Sequence, residues 1–215
     1  MKEELNEKAN DNKINVEDIV ELSLSRNPDV VDVLKEIKEK LQWPNEAIEY
    51  KNGNIVPPLG AWVDVGCEYI ANGCEGLINY SKNINNANFA ISILQENKNS
   101  KSVESLLKIA EFYSDDMQSH KYILIKIVTA LNLILSFKDS PEVEVTIIEN
   151  VRSLIHKIIG LCENSAEYAS TICALRGVGN EESIKLVSTI PKLEGAWSGT
   201  ERIVTQAIKQ RIKNS

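Results

Sequence analysis

"CALRGVGNEESIKLV", Cys173 to Val187, is the stretch whose reading decides the fold. Its Gly177-Val178-Gly179 is either a phosphate cradle or the turn between two helices. A dinucleotide cradle requires a strand before the glycines, a third glycine where the helix packs close, and an acid about 20 residues on for the ribose. Here the glycines follow a helical pattern, and the third position holds Glu182, whose charge repels a phosphate. The turn reading is the consistent one. It predicts Gly177 just past a helix end in the left-handed region, with Asn180 capping the next helix.

Outward from this turn the apolar residues recur at helical spacing almost everywhere, and no sustained apolar-polar alternation marks a strand. The starts are signed by caps. Asn27-Pro28-Asp29 and Ser140-Pro141-Glu142 each place a capping side chain, a proline at the first helical position and an acid in the first turn. Asn15 to Asp18, Asn164 to Glu167 and Ser198 to Glu201 each set a cap three residues before an acid. The predicted helices span 16–25, 28–42, 58–81, 86–96, 102–114, 119–137, 141–162, 165–176, 181–190 and 199–213. Connections are short except 43–57, "WPNEAIEYKNGNIVP", where two prolines and Asn52-Gly53-Asn54 forbid a continuous helix. The expected class is all-α, with about ten helices in one domain over 15–215 and a charged arm at 1–14.

Helix pairs resemble one another. "SVESLLKIAEFY" with "KYILIKIVTALNLIL" is echoed by "ESIKLVSTI" with "ERIVTQAIKQRI", at a spacing near the 40 residues of two-helix repeats. The opening stretch resembles the junction between HEAT repeats: an Ala-Leu helix, a Gly turn, an Asn cap and an apolar stripe. The resemblance is good over 165–212, fair over 87–137 and poor before Leu59. It implies an α-solenoid of antiparallel helix pairs, a HEAT-like right-handed superhelix with a binding surface on one face. Fold alone supplies no function.

Chemistry-bearing residues are sparse. Cys67, Cys74, Cys162 and Cys173 lie within apolar helical patterns and lack paired CxxC spacing, so four buried free thiols and no metal are expected. His120 and His156 have no partner at a ligand or triad spacing. No catalytic constellation and no cofactor motif is read, and the chain is expected to be no enzyme. Gly60, Gly66, Gly73 and Gly76 within one helix imply close approach by a neighbour, because each costs about 1 kcal/mol against Ala. Trp62 and Trp197, each in a Gly-Ala-Trp triplet, are expected to pack at repeat junctions.

Charge is uneven. The chain of 215 residues carries a net charge of -7, and up to Asp116 there are 12 basic and 21 acidic residues against 12 and 10 beyond it. An acidic half repels nucleic acid and attracts a basic protein. The apolar runs are too short for a membrane span, and the start lacks the apolar core of a secretory signal, so a cytoplasmic protein is expected. Candidate partner-binding residues are Trp43 and Tyr50 in the long loop, Asp64, Glu68, and the Asp115-Asp116 pair at a helix end. Among HEAT-like proteins, the acidic composition resembles bacterial immunity proteins that neutralise a basic, nuclease-like toxin. The alternative implied by the same fold is a HEAT-like DNA glycosylase or other helical-repeat enzyme, for which Trp197, Arg176, Arg202 and Arg211 would be the relevant residues.

Overall fold

The computed structural model describes residues 14–40, 48–49, 55–56, 59–137 and 139–214. It is all-helical apart from a pair of two-residue strands. Contacts divide the chain into two compact units, one up to Glu96 and one from Asn97.

The first unit begins with α1 (Val16–Leu24) and α2 (Asp29–Lys40). α1 opens with the predicted capping box: Asp18 N donates to Asn15 Oδ1 at 2.9 Å, and Asn15 N donates to Asp18 Oδ2 at 3.0 Å. Asn27 caps α2 by accepting from Asp29 N at 3.0 Å. Next comes the antiparallel ladder of β1 (Ile48–Glu49) with β2 (Ile55–Val56), Ile48 opposite Val56. α3 (Leu59–Tyr80) and α4 (Ile84–Asn97) follow. Ile19, Leu22, Val30, Val33, Leu34, Ile37, Val63 and Ile70 form one buried cluster, so α1 and α2 turn their apolar stripes onto α3. Trp62 packs edge-on against Phe89, with ring centroids 5.1 Å apart.

Two glycines shape α3. A Cβ on Gly66 would fall under 3.0 Å from Ser23 Oγ of α1, so the close approach expected of this helix is real at that position. The expected unbroken helix over 58–81 is corrected at Gly73, whose φ of 62° and ψ of -147° break it. That backbone is open to glycine and strained for residues with a Cβ. Arg26 lies against the break and 5.7 Å from the centroid of the Tyr69 ring.

The second unit contains α5 (Ser100–Phe112), α6 (Lys121–Leu135), α7 (Val145–Ile159), α8 (Ser165–Cys173), α9 (Leu175–Val178), α10 (Glu181–Val187) and α11 (Thr200–Asn214). α6 carries the most apolar sequence, and α5, α7, α8 and α9 all pack on it. Ile127, Leu131, Ile155, Ile172, Leu175 and Ile208 are buried here. Asn164 and Asn180 cap α8 and α10 as predicted, accepting from Glu167 N and Ser183 N at 3.0 Å each.

Three expectations fail here, each for a local reason. Ser140 does not start a helix at 141: its hydroxyl donates to Phe137 O and accepts from Phe137 N, closing its own turn, and α7 begins at Val145. Ser198 does not cap α11, which begins at Thr200 after Gly199 at φ 84°. Gly177 is not past a helix end in the left-handed region; it lies inside α9, and a Cβ there would fall under 3.0 Å from the Leu135 carbonyl oxygen. Glycine is needed at 177 for closeness to α6, not for a turn.

Candidate partner-binding surface

In the first unit, Asp64 and Glu68 lie one turn apart on α3. Asp64 accepts both its hydrogen bonds from Lys38 Nζ, at 2.6 and 2.8 Å, and both side chains are close to half exposed. Glu68 accepts from Asn72 Nδ2 at 2.7 Å. Burial first, then the charges of Asp64 and Glu68, push the Tyr80 phenol above its ordinary value. Glu17, Glu21, Asp29, Asp32 and Glu39 on α1 and α2 are exposed as well. Trp43 and Tyr50 lie outside the described residues.

In the second unit, Asp115 and Asp116 are exposed on the turn between α5 and α6. Asp116 has local work: its Oδ1 accepts from Ser119 N at 3.2 Å, and hydrogen bonds from Ser119 hold its carboxyl below the usual range. The structure therefore brings Asp64 to Glu68 and Asp115 to Asp116, with the two pairs in different units. Phe112, at the end of α5, and Tyr122, at the start of α6, are exposed in the same unit. Trp197 stands 43% exposed in a 3-10 turn, Gly195–Trp197, and does not pack as Trp62 does.

The phosphate-cradle reading fails on donors. A cradle presents free backbone N–H groups to the anion. Gly179 N donates to Leu175 O at 2.7 Å, Asn180 N to Ser183 Oγ at 3.2 Å, and Ser183 N to Asn180 Oδ1. What this junction offers is carbonyls: Arg152 Nε donates to Val178 O at 2.8 Å, and Arg211 donates to Gly179 O. Arg176 is likewise committed, to Cys173 O at 3.1 Å and Asn132 Oδ1 at 3.0 Å.

The remaining titratable groups have structural surroundings. Cys67, Cys74, Cys162 and Cys173 are free, and burial pushes the thiols of Cys67, Cys162 and Cys173 up, away from the reactive thiolate. His120 packs edge-on against Tyr113 at 5.1 Å. His156 Nε2 shares a hydrogen bond of 2.8 Å with the buried Ser183 hydroxyl, and burial holds the imidazole below its ordinary value against the pull of Glu182. Among the described residues no group of three His, Cys, Asp or Glu side chains is placed to hold a metal ion, and no helix is long and apolar enough to cross a membrane.

One feature escaped the sequence reading. Glu149, Arg152, Ser153, His156 and Lys157 of α7 and Glu182 of α10 line an open groove of about 410 Å³. The signal was present as the polar stripe of α7, at spacings of three and four, but nothing in the sequence shows that α10 supplies the facing wall.

No protein-family model, no curated protein and no solved structure matches this chain.

Proposed function

We propose that this chain is a non-catalytic protein-binding module whose acidic first unit docks a basic protein, in the manner of an immunity protein that neutralises a nuclease-like toxin. The observation that carries the reading is the distribution of charge. Up to Glu96 the sequence has 9 basic and 17 acidic residues, and from Asn97 it has 15 and 14. In the first unit Glu17, Glu21, Asp29, Asp32 and Glu39 of α1 and α2 and Asp64 of α3 are exposed. Such a surface raises the encounter rate with a cationic partner and disfavours nucleic acid. The resemblance of 165–212 to HEAT junctions supports a scaffold of stacked helix pairs in the second unit.

The partner contact in the first unit is assigned to Asp64, Glu68 and the exposed acids of α1 and α2, with the loop aromatics Trp43 and Tyr50 as apolar anchors; in the second unit Asp115 and Asp116 are candidate charges for a basic partner. Association kinetics with a basic ribonuclease as surrogate partner test the charge term. The on-rate is expected to fall steeply as salt rises from 20 to 200 mM, because surface charges are screened over about 10 Å near 0.1 M. An on-rate independent of salt contradicts steering by this surface.

A further inference from the structure

α11 is the most basic of the described helices, with Arg202, Lys209, Arg211 and Lys213 against one acid, Glu201. Its inward face is fully used. Val204 and Ile208 are buried and Arg211 donates to Gly179 O, which seats the helix on α8, α9 and α10. On the opposite face Arg202, Gln206, Lys209 and Lys213 recur at spacings of four, three and four, and all four are exposed. No described carboxylate forms an ion pair with Arg202, Lys209 or Lys213. Ile203 borders the same stripe and is 58% exposed. The complementary surface is on the same chain. α1 carries Glu17, Asp18 and Glu21 and no basic residue. Glu17 and Glu21, with Asp32 and Glu39 of α2, are exposed and form no ion pair with a described residue.

We infer that the basic stripe of α11 docks on the acidic surface of α1 and α2 in a second copy of this chain, with Ile203 as the apolar contact. Charges left without partners inside one copy pair between copies, and the match of sign fixes which faces meet. The contact is heterologous: stripe and acids are different patches, so each bound copy retains an open patch and further copies add. Each copy carries a net charge of -7, and exposed ion pairs contribute little singly, so the association is weak and sensitive to salt. This self-contact rests on the acidic surface assigned above to a basic partner, and a bound second copy competes with that partner.

The test is sedimentation velocity of the full chain. In about 20 mM salt the weight-average sedimentation coefficient is expected to rise with protein concentration, and in about 200 mM salt the association should weaken roughly tenfold. Arg202→Glu with Lys209→Glu and Lys213→Glu should abolish it. Lys101→Glu with Lys157→Glu and Lys185→Glu changes the net charge equally at other exposed positions and should leave most of it. Glu21→Lys with Asp32→Lys and Glu39→Lys should abolish it too, and mixing this chain with the α11 variant should restore association, because each then presents the sign that the other lacks. That rescue excludes misfolding as the cause of either loss. A chain that captures a basic partner but stays monomeric at every concentration would overturn the self-contact and leave the docking surface standing. Equal loss in the Lys101, Lys157 and Lys185 variant, or no rescue on mixing, would also overturn it. Saturable binding of a single-stranded oligonucleotide, lost only in the α11 variant, would assign the stripe to nucleic acid instead.

Discussion

At Gly66 in the first unit, what excludes a side chain is another side chain, the Ser23 hydroxyl, which donates to Ile19 O at 2.7 Å. At Gly177 in the second, what excludes it is backbone, the carbonyl of Leu135 at the end of α6. Both are close helix crossings, but a side chain can rotate or be shortened and a peptide carbonyl cannot. The first crossing is therefore adjustable, and the second fixes where α9 sits on α6. The same junction holds Arg152 and Arg211 through the carbonyls of Val178 and Gly179.

The sharpest way to break this contrast is substitution. Gly177→Val should destabilise the chain by about 3 kcal/mol in urea unfolding, at the upper end of overpacking costs, and Gly177→Ala should retain most of that loss because the first carbon already clashes. Gly66→Ala should cost less, about 1 to 2 kcal/mol, and Ser23→Gly in the same chain should recover part of it. Equal losses at the two glycines, or no recovery from Ser23→Gly, would show that the crossings do not differ in kind.

A smaller effect separates the caps that hold from those that do not. Asn180→Ala should cost about 1 kcal/mol, because its side chain accepts from Ser183 N. Ser198→Ala should change stability by only a few tenths, because Ser198 caps nothing in α11. Thermal unfolding of the two variants side by side checks the pair.

The smallest expected effect is with pH. Burial holds His156 below its ordinary 6.5, so as pH falls the unfolded chain takes up this proton before the folded one does. Its contribution to stability is complete above about 6.5 and is lost as pH drops from there towards the lowered folded value. His156→Gln should flatten that part of the stability profile, provided the Gln amide still reaches the Ser183 hydroxyl.

The helices were legible because their signals are local. Asn15, Asn27, Asn164 and Asn180 each cap where the sequence places them, since an Asn side chain and the N–H it serves lie within three residues. Ser140 carried the same local signal and misled, because its hydroxyl had a nearer acceptor at Phe137. Gly73 and Gly177 were visible as glycines but not for their reasons. A break inside α3 and a carbonyl 42 positions away from Gly177 depend on what packs there. The acidic bias was legible by counting. That Asp116 serves Ser119 and Asp64 pairs with Lys38 was not, because those partners are chosen in three dimensions. Arg176 and Arg211, which the glycosylase alternative would need in a cationic groove, are tied instead to carbonyl groups and an amide oxygen.

These commitments decide which acids probe docking cleanly. Asp116→Lys would remove a turn contact, whereas Glu21, Asp32 and Glu39 are exposed on α1 and α2. The most direct measurement is capture of a partner from a lysate of the native cell by the wild-type chain and by a Glu21→Lys, Asp32→Lys, Glu39→Lys variant of equal thermal stability, with an Asp139→Lys, Glu142→Lys variant as the second-unit control. Mass spectrometry is expected to find a basic protein retained by the wild type and the control, and lost from the first-unit variant. Retention of the same protein by all three chains, or a retained partner that is itself acidic, would contradict it.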